Sequence, residues 1–368
     1  MHILIAPDSY KGSLTARQVC DILAQALLTH PGVTVATLPL SDGGEGFGTC
    51  CVDACKGDIL YTNAVDLYGN AIQAPLYTWG DTALIECAAT CALQTKKDIM
   101  AASSYGVGMQ LKNAIDLGFH HFIIGLGGSG MCDGGAGALA ALGVAFYDRN
   151  GTAIPHPTGG DLQRIERLQI PSDFQHCVKC MHFTYACDVT NPYTGENGAA
   201  AVFGPQKGAT PAQVQLLNNG MAHLAALLPN AVRALPGAGA AGGLYINSFL
   251  MSRRKTEFGL YGVLGGSTQS GFDLLAALAD LDSAIAGADL VITGEGRTDR
   301  QTLMGKLPYR VAQRAKKLGK RCVVISGDGD GTLVGDKVIT LTDKDTPPRA
   351  AIAHAAALLA EKADLLLQ

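Results

Sequence analysis

Five short segments of this 368-residue chain combine glycine with acidic or basic side chains. They are Pro7-Asp-Ser-Tyr-Lys-Gly12, Asp42-Gly-Gly-Glu-Gly46, Gly125 to Gly137, Thr293-Gly-Glu-Gly-Arg-Thr-Asp299 and Ser326-Gly-Asp-Gly329. Each follows an apolar run that reads as a strand. Glycine there lets backbone N–H groups turn inward and approach an anion closely, and a following helix N-terminus adds favourable partial charge. A single strand-to-helix loop needs glycine merely to turn. Five such loops with embedded charge predict a convergent polar crevice at strand ends, where open α/β sheets hold ligands. Lys11, after Asp8-Ser9 and before a helix, can meet an anion, and Arg297 has the planar fork for a bidentate carboxylate clamp. Asp42 and Glu45 flank Gly43-Gly44, and Glu295 lies between two glycines, so each carboxylate has little neighbouring bulk and can face a metal. For Asp42 the plain alternative is a helix N-cap. Asp188 and Asn191, three apart before Pro192, can supply a base and a ligand from one loop, or simply an Asx turn on their own backbone.

The elements that must position these groups follow from periodicity. His2 to Ala6 reads as a buried strand stopped by Pro7. Thr15 and Gln18 have capping-box spacing, and Val19, Ile22, Leu23, Ala26 and Leu27 lie on one helical face. An extended stretch, Val33 to Leu40, completes a β-α-β start and implies a parallel sheet covered by helices. Residues 58–87 hold three extended runs broken by Tyr68-Gly69-Asn70 and Trp79-Gly80-Asp81, which predicts an antiparallel meander. A helix is expected over 104–117, closed by Gly118 in a left-handed cap. Strands are expected at His121–Gly125, Val144–Tyr147, Asp289–Thr293 and Arg321–Ser326, with a helix up to Leu318 and a closing helix near 350–367. The fold class is therefore α/β with two domains: a Rossmann-like parallel sheet domain, 1–60 plus 285–368, interrupted by a mixed α/β domain, 61–284.

Composition narrows the function classes. Glycine is 46 of 368 residues, well above an average near 7%. Lys plus Arg is 28 against 32 for Asp plus Glu, a net charge of −4 with no basic block, which argues against nucleic acid. No apolar run reaches the roughly 18 residues needed to span a bilayer, and no signal peptide is evident, so a cytoplasmic, reduced protein with free thiols is expected. Cys177-x-x-Cys180 with His176 and His182 resembles half a zinc site without its second pair; Cys50, Cys51, Cys55, Cys87 and Cys91 read as small apolar residues. A Walker A element and a Gly-x-Ser-x-Gly elbow are both absent. Gly125-Leu-Gly-Gly-Ser-Gly130 is a literal Gly-x-Gly-x-x-Gly, and Asp148 lies near the spacing of a ribose-binding acid. That keeps a Rossmann-type NAD(P)-dependent oxidoreductase as the alternative, although the glycines at 134, 135 and 137 disfavour the required helix.

Several ordered words resemble the bacterial glycerate kinase family of type I. They are Ile5-Ala-Pro-Asp-Ser-Tyr-Lys-Gly-Ser-Leu14, Ser41-Asp-Gly-Gly-Glu-Gly46, Gly125-Leu-Gly-Gly-Ser129 with Asp133-Gly-Gly135, and Cys187-Asp-Val-Thr-Asn-Pro192. Phe203-Gly-Pro-Gln-Lys-Gly-Ala-Thr210, Gly239-Ala-Ala-Gly-Gly243 and Asp289-Leu-Val-Ile-Thr-Gly-Glu-Gly-Arg297, with Asp299, Gln301-Thr-Leu303 and Gly305-Lys306, complete the set. Gly130-Met131-Cys132 departs from the family's small polar residues, Arg253 to Ser267 is longer than usual, and Tyr245 replaces a small residue. The resemblance implies ATP- and Mg2+-dependent phosphorylation of glycerate, with the active site in the cleft between the domains. It implies the 2-hydroxyl as acceptor, with 3-phosphoglycerate as the alternative product, and small molecules as the partners, with a homodimer as the candidate assembly. A ligand-binding protein without turnover is a third reading. Phosphoryl transfer asks for positioning and charge stabilisation rather than a covalent nucleophile, which suits these loops. On this reading the catalytic set is Asp188 as base with Lys11 and Asp42, the latter free to exchange roles with Asp188. Asp42, Glu45 and Glu295 are the metal ligands. Asp8, Ser9, Gly43, Gly44, Gly127, Gly128, Ser129, Asp133, Asn191, Lys207, Arg297 and Lys306 bind substrate or nucleotide.

Overall fold

The computed structural model describes residues 1–44, 46–171, 181–227, 236–244, 267–343 and 346–367. The chain folds into two compact units, one from Met1–Lys56 with Gly271–Gln368 and one from Gly57–Ser270. Glu45, the pair Cys177 and Cys180 with His176, Tyr245 and the stretch 253–266 lie outside the described residues.

The first unit opens with β1 (His2–Ile5), α1 (Ala16–Leu27), β2 (Thr34–Thr37) and α2 (Phe47–Cys55). The capping box is present at α1: Thr15 Oγ1 accepts from the Gln18 N–H and Gln18 Oε1 accepts from the Thr15 N–H. The second unit follows with β3 (Asp58–Val65), β4 (Ala71–Trp79), β5 (Thr82–Glu86), α3 (Cys87–Cys91), α4 (Tyr105–Asp116) and β6 (His121–Gly125). It continues through α5 (Ala136–Ala141), β7 (Ala145–Tyr147), β8 (Arg167–Gln169), β9 (His182–Ala186), α6 (Ala199–Phe203), α7 (Pro211–Leu227) and β10 (Ser267–Gln269). The chain then returns to the first unit as α8 (Gly271–Leu278), α9 (Leu281–Gly287), β11 (Leu290–Thr298), α10 (Leu307–Lys317), β12 (Arg321–Gly329), β13 (Lys337–Thr340), α11 (Pro348–Ala353) and α12 (Ala355–Lys362).

In the first unit all strands are parallel, in the order β13-β12-β11-β1-β2. From β1 the chain winds outward to β2, and from β11 it winds the other way through β12 to β13. The winding therefore reverses between β1 and β11, the place where open parallel sheets leave a crevice beyond the strand ends. Ile3, Ile5, Leu290, Ile292, Val323 and Ile325 pack with Val19, Leu23 and Leu359 to bury this sheet. Leu4, Val291 and Val324 on the opposite face are buried as well, and this two-sided burial explains why these strands read as unbroken apolar runs.

In the second unit six strands run β10-β9-β6-β5-β4-β3. The meander over 58–87 is present as antiparallel β3-β4-β5, but β5 then pairs in parallel with β6, as do β6 with β9 and β9 with β10. A buried core of Leu76, Ile85, Val107, Leu111, Phe122, Ile124 and Leu224, among others, fills this unit.

Three expectations need correction. The Rossmann alternative required the strand after the glycine loop to extend the sheet of β6, but β7 pairs antiparallel with β8 in a separate two-stranded sheet. Asp148 instead accepts the N–H groups of Asn150 and Thr152 in its own tight turn. The segments Thr293–Asp299 and Ser326–Gly329, expected as loops, are largely strand: Glu295 registers with Ser326 and Arg297 with Asp328. Glycine makes this approach feasible, since a Cβ at Gly294 would lie 2.1 Å from the carbonyl of Ile325. Finally, the single closing helix is broken at His354 into α11 and α12.

Candidate functional site

At the switch point of the first unit the loop after β1 is stitched to β11. The Ala6 N–H donates to Ile292 O at 2.7 Å, the Asp8 N–H to Gly294 O at 2.8 Å, and Thr293 Oγ1 to Ala6 O at 2.7 Å. This places Asp8, Ser9 and Lys11 next to Glu295 and Gly296; a Cβ on Gly296 would sit 3.5 Å from the Lys11 nitrogen of the backbone. The Asp8 carboxyl is raised to about 7, first by burial, then by the charges of Asp42 and Glu295, against hydrogen bonds from the Ser9 N–H and the Ser9 side chain. Asp42 and Glu295 are therefore each close enough to Asp8 to act on its charge. Lys11 is exposed and makes no hydrogen bond or ion pair among the described residues.

Glu295 is 7% exposed. Its Oε1 accepts from Thr302 Oγ1 at 2.6 Å and Thr298 Oγ1 at 3.3 Å, while Lys306 Nζ lies 3.8 Å from Oε2. Burial raises its carboxyl above the ordinary value, and the Thr302, Lys306 and Thr298 contacts pull the other way. Lys306 stands at the start of α10, 3.9 Å from Asp299, and is partly exposed. Arg297 does not hold an open fork: it meets Asp328 at 2.7 Å and Asp299 at 3.6 Å.

Asp42 is exposed and is not a helix cap, because the N-cap of α2 is Gly46. Its Oδ1 accepts the Gly44 N–H at 3.1 Å, and Ser41 Oγ accepts the Gly43 N–H at 3.3 Å, so the loop is folded on its own side chains. The first residue of α8 presses on it: a Cβ at Gly271 would fall 2.4 Å from Gly43 Cα. Thr302, Asp328 and Gly271 were absent from the expected set. The Asp299-x-x-Thr302 spacing is a local turn signal for the first, since Thr302 Oγ1 accepts from the Asp299 N–H; Asp328 is the embedded acid of the Ser326–Gly329 segment, though its pairing with Arg297 rests on register, and Gly271 depends on tertiary contact.

The second unit gathers the remaining candidates at the C-terminal ends of its parallel strands. Beyond β6, the N–H groups of Gly127, Gly128 and Ser129 form no hydrogen bond among the described residues. The same turn is pinned by Leu93 N–H to Gly128 O at 3.2 Å and Gly130 N–H to Cys91 O at 2.7 Å. Asp133 is fully buried and accepts four bonds, from Ser104 N–H and Oγ at 2.7 Å each and from the Gly135 and Gly137 N–H groups at 3.1 Å. It anchors the loop from inside rather than facing a ligand. Lys207, 4% exposed, is also internal and donates to Met131 O and Ser129 Oγ. Burial lowers its ammonium below the ordinary value, opposed by Cys132 and Asp133. Asp188 is exposed just after β9, and Asn191 Nδ2 donates to Asn197 O at 3.0 Å. Glu86, another residue outside the expected set, ends β5 opposite Gly125 and accepts from Tyr77 OH at 3.0 Å while 9% exposed.

Mg2+ is typically held by one or two carboxylates with water, a set that the oxygens of Asp42 and Glu295, both felt by Asp8, could supply. Among the described residues, no group of three or more His, Cys, Asp or Glu side chains is placed so that it could hold a metal ion by itself. No described helix is long and apolar enough to cross a membrane, and the nine described cysteines are free thiols.

Comparison with known proteins gives a consistent result. The model of the glycerate kinase family matches residues 3–368. The chain is 37% identical over 338 residues to a protein of Escherichia coli (strain K12) named glycerate 2-kinase, covering 89% of this chain and 85% of that one. It is also 37% identical over 338 residues to glycerate kinase of Bacillus subtilis (strain 168), with the same coverage. A crystal structure from Salmonella typhimurium LT2, provisionally assigned as glycerate kinase 2, superimposes with a TM-score of 0.82 at 35% identity, covering 100% of this chain and 97% of that one.

Proposed function

The chain belongs to the glycerate kinase family, and on that premise we propose that it transfers a phosphoryl group from ATP to the 2-hydroxyl of glycerate. The observation that carries this reading is the meeting of Asp8, Asp42 and Glu295 at the switch point of the first unit, with Lys11 and Lys306 beside them. The name of the Escherichia coli relative favours the 2-position over the 3-position.

Asp42 and Glu295 are the residues that would hold Mg2+. When bound, the ion would supply charge neutralisation for the phosphates. The chain's own contribution is positioning. Thr302 and Thr298 fix the rotamer of Glu295 by donating to the same oxygen. Lys11 offers its three ammonium donors to an anionic oxygen, and Lys306 balances the carboxylates of Glu295 and Asp299. Asp188 accepts the hydroxyl proton, with Asp42 as the other candidate; such general-base help is worth about 10²–10⁴ in rate. The open N–H groups of Gly127 and Gly128 add neutral donors for an anion without introducing a counter-charge.

An enolase-coupled assay without phosphoglycerate mutase responds to 2-phosphoglycerate alone and tests the regiochemistry. Absence of ADP formation from D-glycerate with any divalent metal would remove the kinase reading altogether. Asp188→Asn and Asp42→Asn then separate the roles. A lost pH-dependent limb identifies the base, and a raised Mg2+ requirement identifies the metal side.

A further inference from the structure

Beneath the turn 127–131 of the second unit lies a buried cation. Lys207 is 4% exposed, and it donates to Met131 O at 2.8 Å and to Ser129 Oγ at 3.3 Å. No carboxylate of the described residues forms an ion pair with it, because Asp133, the nearby acid, is engaged by Ser104, Gly135 and Gly137. An ammonium has donors and no acceptor. Ser129 Oγ is thereby fixed as the acceptor of the pair, and its own proton must point elsewhere. Nothing among the described residues accepts that proton, and Ser129 is half-buried at the surface of the turn. The adjacent N–H groups of Gly127, Gly128 and Ser129 are also open.

We propose that Lys207 is a positioning residue acting through Ser129: it commits the Ser129 hydroxyl to donate, with the Gly127 and Gly128 N–H groups, to an anionic oxygen of a substrate. The anion's identity rests on the phosphoryl-transfer reading given above. A carboxylate of glycerate and a phosphate of the nucleotide present the same oxygen chemistry. Lys207 itself touches neither. Its influence reaches the ligand only through one hydroxyl and through the shape of the backbone it holds at Met131. This differs from a directly ligating lysine, whose loss would add to the loss of Ser129 rather than overlap with it.

The test is a double-mutant cycle on Ser129→Ala and Lys207→Met. Both substrates are varied in steady-state kinetics, and D-glycerate and ADP are titrated separately by calorimetry. Each single variant is expected to raise the KM of one substrate, and the same one, about tenfold, with kcat changed less. The double variant is expected to lie within about twofold of the worse single. The substrate whose KM moves identifies the anion. Multiplying effects overturn the proposal, as does a Ser129→Ala protein with both KM values and both affinities within twofold of wild type. If the wild-type protein turns over no glycerate yet binds ADP with the same overlap, the kinase reading falls and the coupling stands. If it binds neither, both fall. Should Lys207→Met not fold, Ser129→Thr decides: retention by Thr with loss by Ala supports the hydroxyl donor, and equal behaviour of the two overturns it.

Discussion

Thr302 donates its hydroxyl proton to Glu295 at 2.6 Å, the shorter of two threonine contacts on a single carboxylate oxygen. That bond opposes the upward push of burial on the Glu295 carboxyl. Thr302→Val should let the carboxyl rise further, moving the acid limb of the kcat/KM profile to higher pH. Leaving the buried acceptor short of a donor should also cost about 1–3 kcal/mol. Thr302→Ser should restore both. A pH–rate profile beside a thermal melt checks the pair.

Asp8 gives a pH dependence of stability whose sign is opposite to that of an ordinary salt-bridged acid. Its carboxyl is pushed up to about 7 in the folded state, against an ordinary value of 3.8. The folded state therefore binds the proton more tightly, and stability is lost as pH rises from about 4 to about 7. In metal-free buffer Asp8→Asn should raise Tm at pH 8 by ~3 °C or more and leave it unchanged near pH 3. Turnover should fall at both pH values. A wild-type Tm that climbs between pH 4 and pH 7 relative to Asp8→Asn would contradict the assignment.

Gly271→Ala places a methyl 2.4 Å from Gly43 Cα, so the loop carrying Asp42 must move. We expect kcat/KM to fall at least about tenfold and the Mg2+ requirement to rise, with circular dichroism unchanged; van der Waals overlap of this size cannot be absorbed in place. Gly287→Ala, where nothing lies within 4 Å, serves as the control and should be silent.

Ala241 sits in the left-handed region at φ 49°, ψ 40°, buried in the glycine segment that supports the loop beyond β6. Ala241→Gly removes a penalty of about 1–2 kcal/mol and returns part of it as unfolded-state entropy. A net gain of about 0.5–1 kcal/mol is expected by denaturant unfolding. At the next residue Gly242→Ala should do the reverse, since its Cβ would meet Met131 O at 2.1 Å.

Much of the fold was legible where the signal is local. Thr15 with Gln18 marked the start of α1, the run 121–125 is β6 as read, and Gly118 has the positive φ of a helix end. The meander was visible in its turns, but turns say nothing about the far neighbour, and β5 takes β6 as a parallel partner across a helical crossover. Asp148 failed for a related reason: spacing along the chain suited a nucleotide fingerprint, while strand pairing placed it elsewhere. Of the site, the glycine loops and their charges could be read directly. Burial could not. Lys207 and Asp133 look like any loop cation and acid in the sequence, and only packing turns them into internal anchors. Arg297 likewise gives no hint that Asp328 will occupy its fork, because the register of β11 with β12 decides that.

The first unit is assembled from both ends of the chain, with Ile3 paired to Leu290, and this has a temporal consequence. On a ribosome adding about 5–20 residues per second, β1 waits roughly 15–60 s for its central neighbour. The contiguous second unit, ending at Ser270, is completed in the meantime, only about 1–4 s before β11 begins. For that interval an apolar strand and its amphipathic α1 have only β2 for company, a state prone to misassociation. Early chaperone engagement should therefore concentrate on the first few dozen residues, and slowing translation should lower soluble yield more than it would for a protein whose units are each sequential.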